Sequence, residues 1–263
     1  SRPPWERGST TNTKPTPDAV GPDPRPPTVG KAPDYEHQTH ARRGTPGSWS
    51  FNQSVRSVQL DGMGADEQKR VVKTATVESV EELSPQMVRL VLGGPELGQI
   101  GELPFTDHYV KLFFPPEGAD YDHPVDVDHI RDTRPREFWP VTRTYTIRRF
   151  DHDALQMVLD CVVHEHGLAG RWMREVQPGD RVSFRGPGGA WAPPKDADTI
   201  LLAGDEAALP AIARSMEEMS PATRAVVLCE VEDESGEIEM PGPVTWVHRR
   251  GAAPGQALAQ AVR

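Results

Sequence analysis

Three clusters in this sequence carry side chains suited to holding a planar, anionic ligand. The first is Arg143-Thr144-Tyr145-Thr146-Ile147-Arg148, which follows Trp139-Pro140. On a strand, alternation puts Arg143, Tyr145 and Ile147 on one face and Thr144, Thr146 and Arg148 on the other. A tyrosine ring can stack on a flat cofactor while arginines neutralise a diphosphate. The same six residues read equally well as an edge strand with solvated Arg and Thr.

The second cluster is His164-Glu165-His166-Gly167-Leu168-Ala169-Gly170-Arg171-Trp172-Met173, directly after an apolar run. Small residues leading into a short helix can bring backbone N–H groups against a phosphate, because a helix N-terminus favours anions. His164-x-His166 has no carboxylate or Cys partner at metal-ligand spacing, so no metal is expected there. The third cluster is Ala203-Gly204-Asp205-Glu206-Ala207-Ala208-Leu209-Pro210. It follows a continuous apolar run, in the position where open α/β sheets bind ligands, but it lacks the G-x-G-x-x-G pattern of a dinucleotide fingerprint. Gly186-Pro187-Gly188-Gly189 could approach a ligand closely or simply make a sharp turn. Neither a nucleophile with its base nor an acid/base pair stands out.

The elements that must position these clusters are of two kinds. Residues 71–80, 87–92, 108–114, 143–150, 155–163 and 180–184 are short β-branched or alternating runs separated by Ser84-Pro85, Gly93-Gly94-Pro95 and Pro115-Pro116. Six such strands with little helical periodicity predict an antiparallel barrel or sandwich. Residues 118–140, rich in Asp, His and Arg, read as a long insertion with solvated charges. After Trp191-Ala192-Pro193-Pro194 the pattern changes to continuous apolar runs at 199–204 and 225–231 around a helix at 207–219, then a strand at 244–248 and the start of a helix at 256–262. That is a parallel sheet buried on both faces, with fewer strands than the five or six of a full doubly wound domain. The fold class expected is therefore β plus α/β: residues 70–194 an antiparallel β-barrel and residues 195–263 a C-terminally shortened parallel-sheet nucleotide-binding domain.

Composition narrows the function. The 263 residues carry a formal charge of −10, 27 prolines and two cysteines. Residues 1–50 hold only Val20 and Val29 among Leu, Ile, Val and Phe, too little to offset an ordering cost of roughly 1–2 kcal/mol per residue. Residues 1–69 are thus expected to form a disordered, Pro-rich tail. Through residue 70 there are 10 Lys/Arg against 8 Asp/Glu, which leaves 19 against 31 for the rest, a formal −12. Such an acidic fold argues against nucleic-acid binding. The absence of a long apolar run argues against membrane insertion, and Cys161 and Cys229, inside apolar runs, point to core thiols and a cytoplasmic location.

In their order along the chain, the three clusters resemble the siderophore-interacting protein family, flavin-dependent ferric-siderophore reductases within the ferredoxin-reductase-like superfamily. The resemblance runs from about Val71 to the C-terminus and includes Ser79-Val80-Glu81-Glu82-Leu83-Ser84-Pro85 and Leu92-Gly93-Gly94-Pro95-Glu96-Leu97. It implies FAD held by Arg143, Thr144, Tyr145, Thr146 and Arg148, with Tyr145 against the ring and Thr146 near its polar edge. His164, His166, Gly167, Ala169, Gly170 and Trp172 would cradle the diphosphate. Asp205 and Glu206 would sit where flavin and reductant meet. The implied reaction passes electrons from NAD(P)H or ferredoxin through FAD to a ferric siderophore, with Lys111, Arg131, Arg134, Arg136, Arg148 and Arg149 as candidate attractors of an anionic chelate. A monomer is expected. The alternatives are a general NAD(P)H:flavin electron-transfer protein and a flavin- or siderophore-binding module without turnover.

Overall fold

The computed structural model describes residues 70–119, 121–164 and 167–263; the expected tail, residues 1–69, lies outside them, as does His166. Nine strands and four α-helices follow in order: β1 (Lys73–Ser84), β2 (Met87–Gly93), β3 (Tyr109–Phe114), α1 (Val127–Thr133), β4 (Val141–Asp151), β5 (Gln156–Val162), α2 (Leu168–Glu175), β6 (Arg181–Gly188), β7 (Thr199–Gly204), α3 (Leu209–Glu218), β8 (Arg224–Val231), β9 (Thr245–His248) and α4 (Gln256–Ala261). The first six strands close into an antiparallel barrel, β1-β2-β5-β4-β3-β6, and the last three form a parallel sheet, β7-β8-β9.

Period-two alternation builds the barrel. Leu90 and Leu92, Val110 and Leu112, Leu159 and Cys161, and Val182 and Phe184 point inward and are buried. Helix α2 closes one end with Ala169 and Met173, and Trp172 meets Phe114 edge-on at 5.5 Å. The sheet buries Ile200, Leu202, Val227 and Cys229 against α3, whose Leu209 and Ile212 face them. Met87 and Leu83, at the β1–β2 hairpin of the barrel, pack into this second core. The opposite side of the sheet exposes Leu201 and Val226 but buries Leu228 and Glu230, so the expectation of strands buried on both faces holds for the second half of β8 and fails toward the start of β7 and β8.

The described charges of the 118–140 insertion, among them Asp126, Asp128, Arg131, Asp132 and Arg134, are exposed as expected, but its apolar residues form a core that was not foreseen. Val125, Val127 and Ile130 are buried with Phe113 as a small core of their own, and Asp126 caps α1 by accepting from the His129 N–H at 2.9 Å. Both cysteines are buried free thiols. Among the described residues no helix is long and apolar enough to cross a membrane, and no group of His, Cys, Asp and Glu could hold a metal ion.

Phe184 is fully buried at the barrel centre. Phe184→Ala is expected to cost about 3–5 kcal/mol of stability through lost burial and a residual cavity, measured by equilibrium denaturation.

Candidate functional site

Strand β4 is paired along both edges for only part of its length. Toward β3 the ladder runs from Val141/Phe114 to Thr146/Tyr109 and continues with the Ile147 N–H donating to the His108 carbonyl at 2.7 Å. Toward β5 it runs only from Asp151/Gln156 to Ile147/Leu159, with a bulge between Ile147 and Arg149. Because bonding directions alternate along a strand, the backbone of Ile147, Tyr145 and Arg143 faces β3 while that of Thr144 and Thr146 faces the opposite, open edge.

The gap beyond Ile147/Leu159 is a cleft of about 200 Å³ lined by Arg143, Thr144, Tyr145 and Thr146 on one side, Asp160, Val162 and His164 on the other, and Gly167, Ala169, Gly170 and Ala207 at its ends. An enclosed pocket for a whole ligand is typically about 300–1,000 Å³, so a cleft of this size seats one segment of an extended molecule. Tyr145 rests against the barrel core, and its burial pushes the phenol well above its ordinary value, an effect that nearby Arg143 only partly opposes. The ring therefore presents a neutral hydroxyl and a flat face. Arg143 stays exposed, with one hydrogen bond at 3.0 Å to the neighbouring Thr142 carbonyl.

Helix α2 brings the other wall. Its N-cap is Gly167, at φ +90°, with no side chain capping the first turn, so the N–H groups that begin the helix face outward toward any anion in the cleft. Gly170 sits under the strand end that precedes the helix: a Cβ there would lie 2.1 Å from the His164 carbonyl oxygen. That same oxygen accepts from the Arg174 guanidinium at 2.6 Å. The absence of a side chain thus lets the helix start press against the strand. The loop after β7 reaches the cleft through Ala207, and a Cβ on Gly204 would meet that of Ala208 at 2.3 Å.

Of the residues expected from the sequence, Arg143, Thr144, Tyr145, Thr146, His164, Gly167, Ala169 and Gly170 are brought together here. Arg148, Trp172, Asp205 and Glu206 are not. Arg148 lies past the point where the ladder closes and forms a two-bond ion pair with Glu217 of α3 at 2.6 and 2.7 Å, which holds the Glu217 carboxyl below its ordinary value. Trp172 packs its ring on the barrel core. Asp205 accepts the Ala207 N–H at 3.1 Å and shapes the loop. Glu206 is buried and paired through both oxygens with Arg249, at 2.5 and 2.8 Å, so it is tied across the sheet to the residue after β9. Arg249 also contacts Glu230 at 3.6 Å and Glu232 at 3.3 Å.

Asp160, Val162 and Ala207 were missed as cleft residues. Asp160 had a signal, being the single charge inside the apolar 155–163 run. On the other side of β4 lies a larger groove of about 500 Å³ lined by Tyr109, Phe113 and Thr142 and carrying Arg70, Lys111, Arg131 and Arg185. Of these, only Lys111 and Arg131 were among the expected basic candidates.

Residues 76–191 match the model of a siderophore-interacting FAD-binding domain and residues 197–263 that of a siderophore-interacting protein. An uncharacterized protein of Mycobacterium tuberculosis is 40% identical over 185 residues, covering 67% of this chain and 65% of that protein's length. The NADPH-dependent ferric-chelate reductase of Escherichia coli is 34% identical over 147 residues, 55% of this chain and 56% of its own. The crystal structure of a siderophore utilization protein from T. fusca superimposes with a TM-score of 0.62 at 34% identity, covering 73% of this chain and 75% of that one.

Two consequences of this geometry are measurable. Gly170→Ala should lift α2 from His164 and cost about 1–3 kcal/mol, the usual penalty of overpacking, read as a lower melting temperature. Glu230 is buried; burial alone would raise its carboxyl, but N–H groups of Gly255 and Leu258, at 2.6 and 2.9 Å, and Arg249 outweigh this and hold it below its ordinary 4.5. A carboxyl depressed in the folded state stabilises above its unfolded value, and the contribution is lost as pH falls through the folded value. The stability advantage of the wild type over Glu230→Gln should therefore be largest near neutrality and shrink on titration to about pH 3, measured by denaturant midpoints.

Proposed function

Because this chain belongs to the siderophore-interacting protein family, we propose that it binds FAD in the β4–α2 cleft and uses it to reduce the iron of an anionic ferric siderophore with electrons from NAD(P)H. The observation that carries this reading is the shared strand: β4 lines the cleft with Arg143, Thr144, Tyr145 and Thr146 and lines the basic groove with Thr142. Only the thickness of one strand separates a flat, polar slot from a cationic surface.

The residues fit the cofactor. The open β4 edge offers the N–H and C=O groups of Thr144 and Thr146 to the polar rim of a flavin, and Tyr145 offers a ring face. Arg143 and the uncapped start of α2 suit a diphosphate, one by charge and the other by aligned N–H groups. FAD held there would supply the conversion between a two-electron donor, the nicotinamide, and a one-electron acceptor, so that one reduced cofactor serves two iron(III) chelates in succession. Reduction from Fe(III) to Fe(II) weakens the attraction between the metal and anionic oxygen ligands, which favours release. The chain's own part is to position both ligands and to neutralise the chelate, since electron transfer from a flavin needs no acid/base pair. Lys111, Arg131 and Arg185 are the cations facing the chelate. The nicotinamide side would use the crevice beyond the ends of β7, β8 and β9, the usual place for a nucleotide on such sheets.

The test is reconstitution of the protein with FAD, followed by anaerobic addition of NADH, NADPH or reduced ferredoxin and trapping of Fe(II) from a ferric siderophore. Flavin reduction followed by Fe(II) formation is expected. Tight FAD binding with no Fe(II) from any donor would make this a binding module instead. Lys111→Ala should raise the KM for an anionic ferric chelate about tenfold, the equivalent of about 1.4 kcal/mol, while leaving reduction of the flavin unchanged.

A further inference from the structure

Asp160 is the carboxylate of the cleft lining. Asp160 lies on β5 directly opposite Arg89 of β2 in the ladder, and the guanidinium grips it as a fork: Nε donates to Oδ1 at 2.7 Å and Nη2 to Oδ2 at 2.9 Å. The Asp160 side chain is 2% exposed and lines the cleft, whereas Arg89 is 33% exposed and lines the charged groove behind it with Glu81, Arg148 and Glu217. The β4–β5 ladder closes at Ile147/Leu159, so one further step in register sets Asp160 across from Thr146, at the narrow end of the gap. A carboxylate is thus held at the wall of the cleft, and its compensating cation reaches it from outside. The Asp160 hydrogen bonds hold the Arg89 guanidinium above its ordinary value, and the weaker attraction of Glu81, 3.9 Å away, adds to this.

We propose that the Arg89–Asp160 pair sets the reduction potential of the flavin in this cleft. The inference rests on FAD occupying the cleft as proposed above. A reduced flavin carries more negative charge than an oxidised one, so a fixed carboxylate at its rim favours the oxidised form and a fixed guanidinium the reduced form. Charges removed from water act more strongly than exposed ones. The bidentate pair is itself neutral overall, with its negative end closer to the ring. Removing either partner unmasks the other, and a buried pair that loses one member leaves an uncompensated charge.

This predicts shifts of opposite sign. In FAD-reconstituted full-length protein, Asp160→Asn should move the flavin midpoint potential upward and Arg89→Met should move it downward. Arg89→Lys, which keeps the charge, should stay near the wild type. The Arg89→Met/Asp160→Asn double variant should return toward it. The readout is spectroelectrochemical titration of the flavin bands, with the dissociation constants for oxidised and reduced FAD as a second measure. Unchanged potentials, shifts in the same direction, or loss of flavin in all variants including Arg89→Lys would each overturn the inference and leave the pair a structural link between β2 and β5. Failure of the wild type to bind FAD would be a different result: it removes the proposed cofactor site itself and the inference with it.

Discussion

The arrangement of this protein depends on where two strands stop pairing. A closed six-stranded barrel leaves its strands no free edge, yet β4 and β5 part after Ile147/Leu159 while β4 remains fully bonded to β3. The strand edge so exposed would be a liability on a surface. Here it is recessed, faced by Asp160 and Val162, and closed at its far end by the start of α2. The barrel core lies directly beneath, and Ile147 and Leu159, the last pair before the gap, are both fully buried within it. A slot built on these two side chains cannot widen without disturbing packing, which gives the site a rigid base.

Helix α3 fixes the gap from outside. Arg214 donates to the Ile147 carbonyl at 3.4 Å and to the Leu103 carbonyl at 2.9 Å, Ser215 to the Thr106 hydroxyl at 2.9 Å, and Glu217 holds Arg148 through two bonds. These residues occupy the second half of the helix, and the loop before its first turn carries Ala207 to the cleft. One rigid element therefore touches the slot at one end and secures the strand that forms it at the other. The helix that packs on the parallel sheet is therefore also hydrogen-bonded to the strand that forms the cleft.

Much of this was legible from residue patterns because it rests on local physics. Alternating apolar runs located all six barrel strands, and the change to continuous runs located the parallel sheet. Arg143 to Thr146 and the residues His164, Gly167, Ala169 and Gly170, which line one cleft, were legible as candidates because each cluster is nearly contiguous. What escaped was set by partners far along the chain. Arg148 was assigned to the cofactor because nothing nearby identifies Glu217, 69 positions later, as its partner. Glu206 was assigned to the reductant site, although Arg249, 43 positions on, takes both its oxygens. Trp172 was read for its chemistry, whereas its spacing of four and three residues from Leu168 and Ala169 puts it on the side of α2 that packs on the barrel core. In the insertion, the abundance of Asp and Arg hid a Val125-x-Val127-x-x-Ile130 pattern.

Electrostatics explain how an acidic chain could serve an anionic substrate. The formal −12 of residues 71–263 is unevenly spread, and the end of β8 concentrates it: Glu230, Glu232 and Glu234 lie there, with Arg249 and Arg250 engaged by them. Carboxylates thus engage Arg249 and Arg250 at this end of the sheet. On the far side of β4 the balance reverses. Asp128 pairs with Arg185 at 3.0 Å, but Lys111 and Arg131 remain beside it in the same groove. Net charge would repel an anion at a distance, but beyond a Debye length of about 8–10 Å that repulsion is largely screened. What an approaching anion meets at short range is the local surface, and on the far side of β4 from the cleft that surface is cationic. The charge asymmetry across the molecule therefore gives this groove a sign opposite to that of the sheet edge, which suits the proposed reaction by offering its two partners separate surfaces.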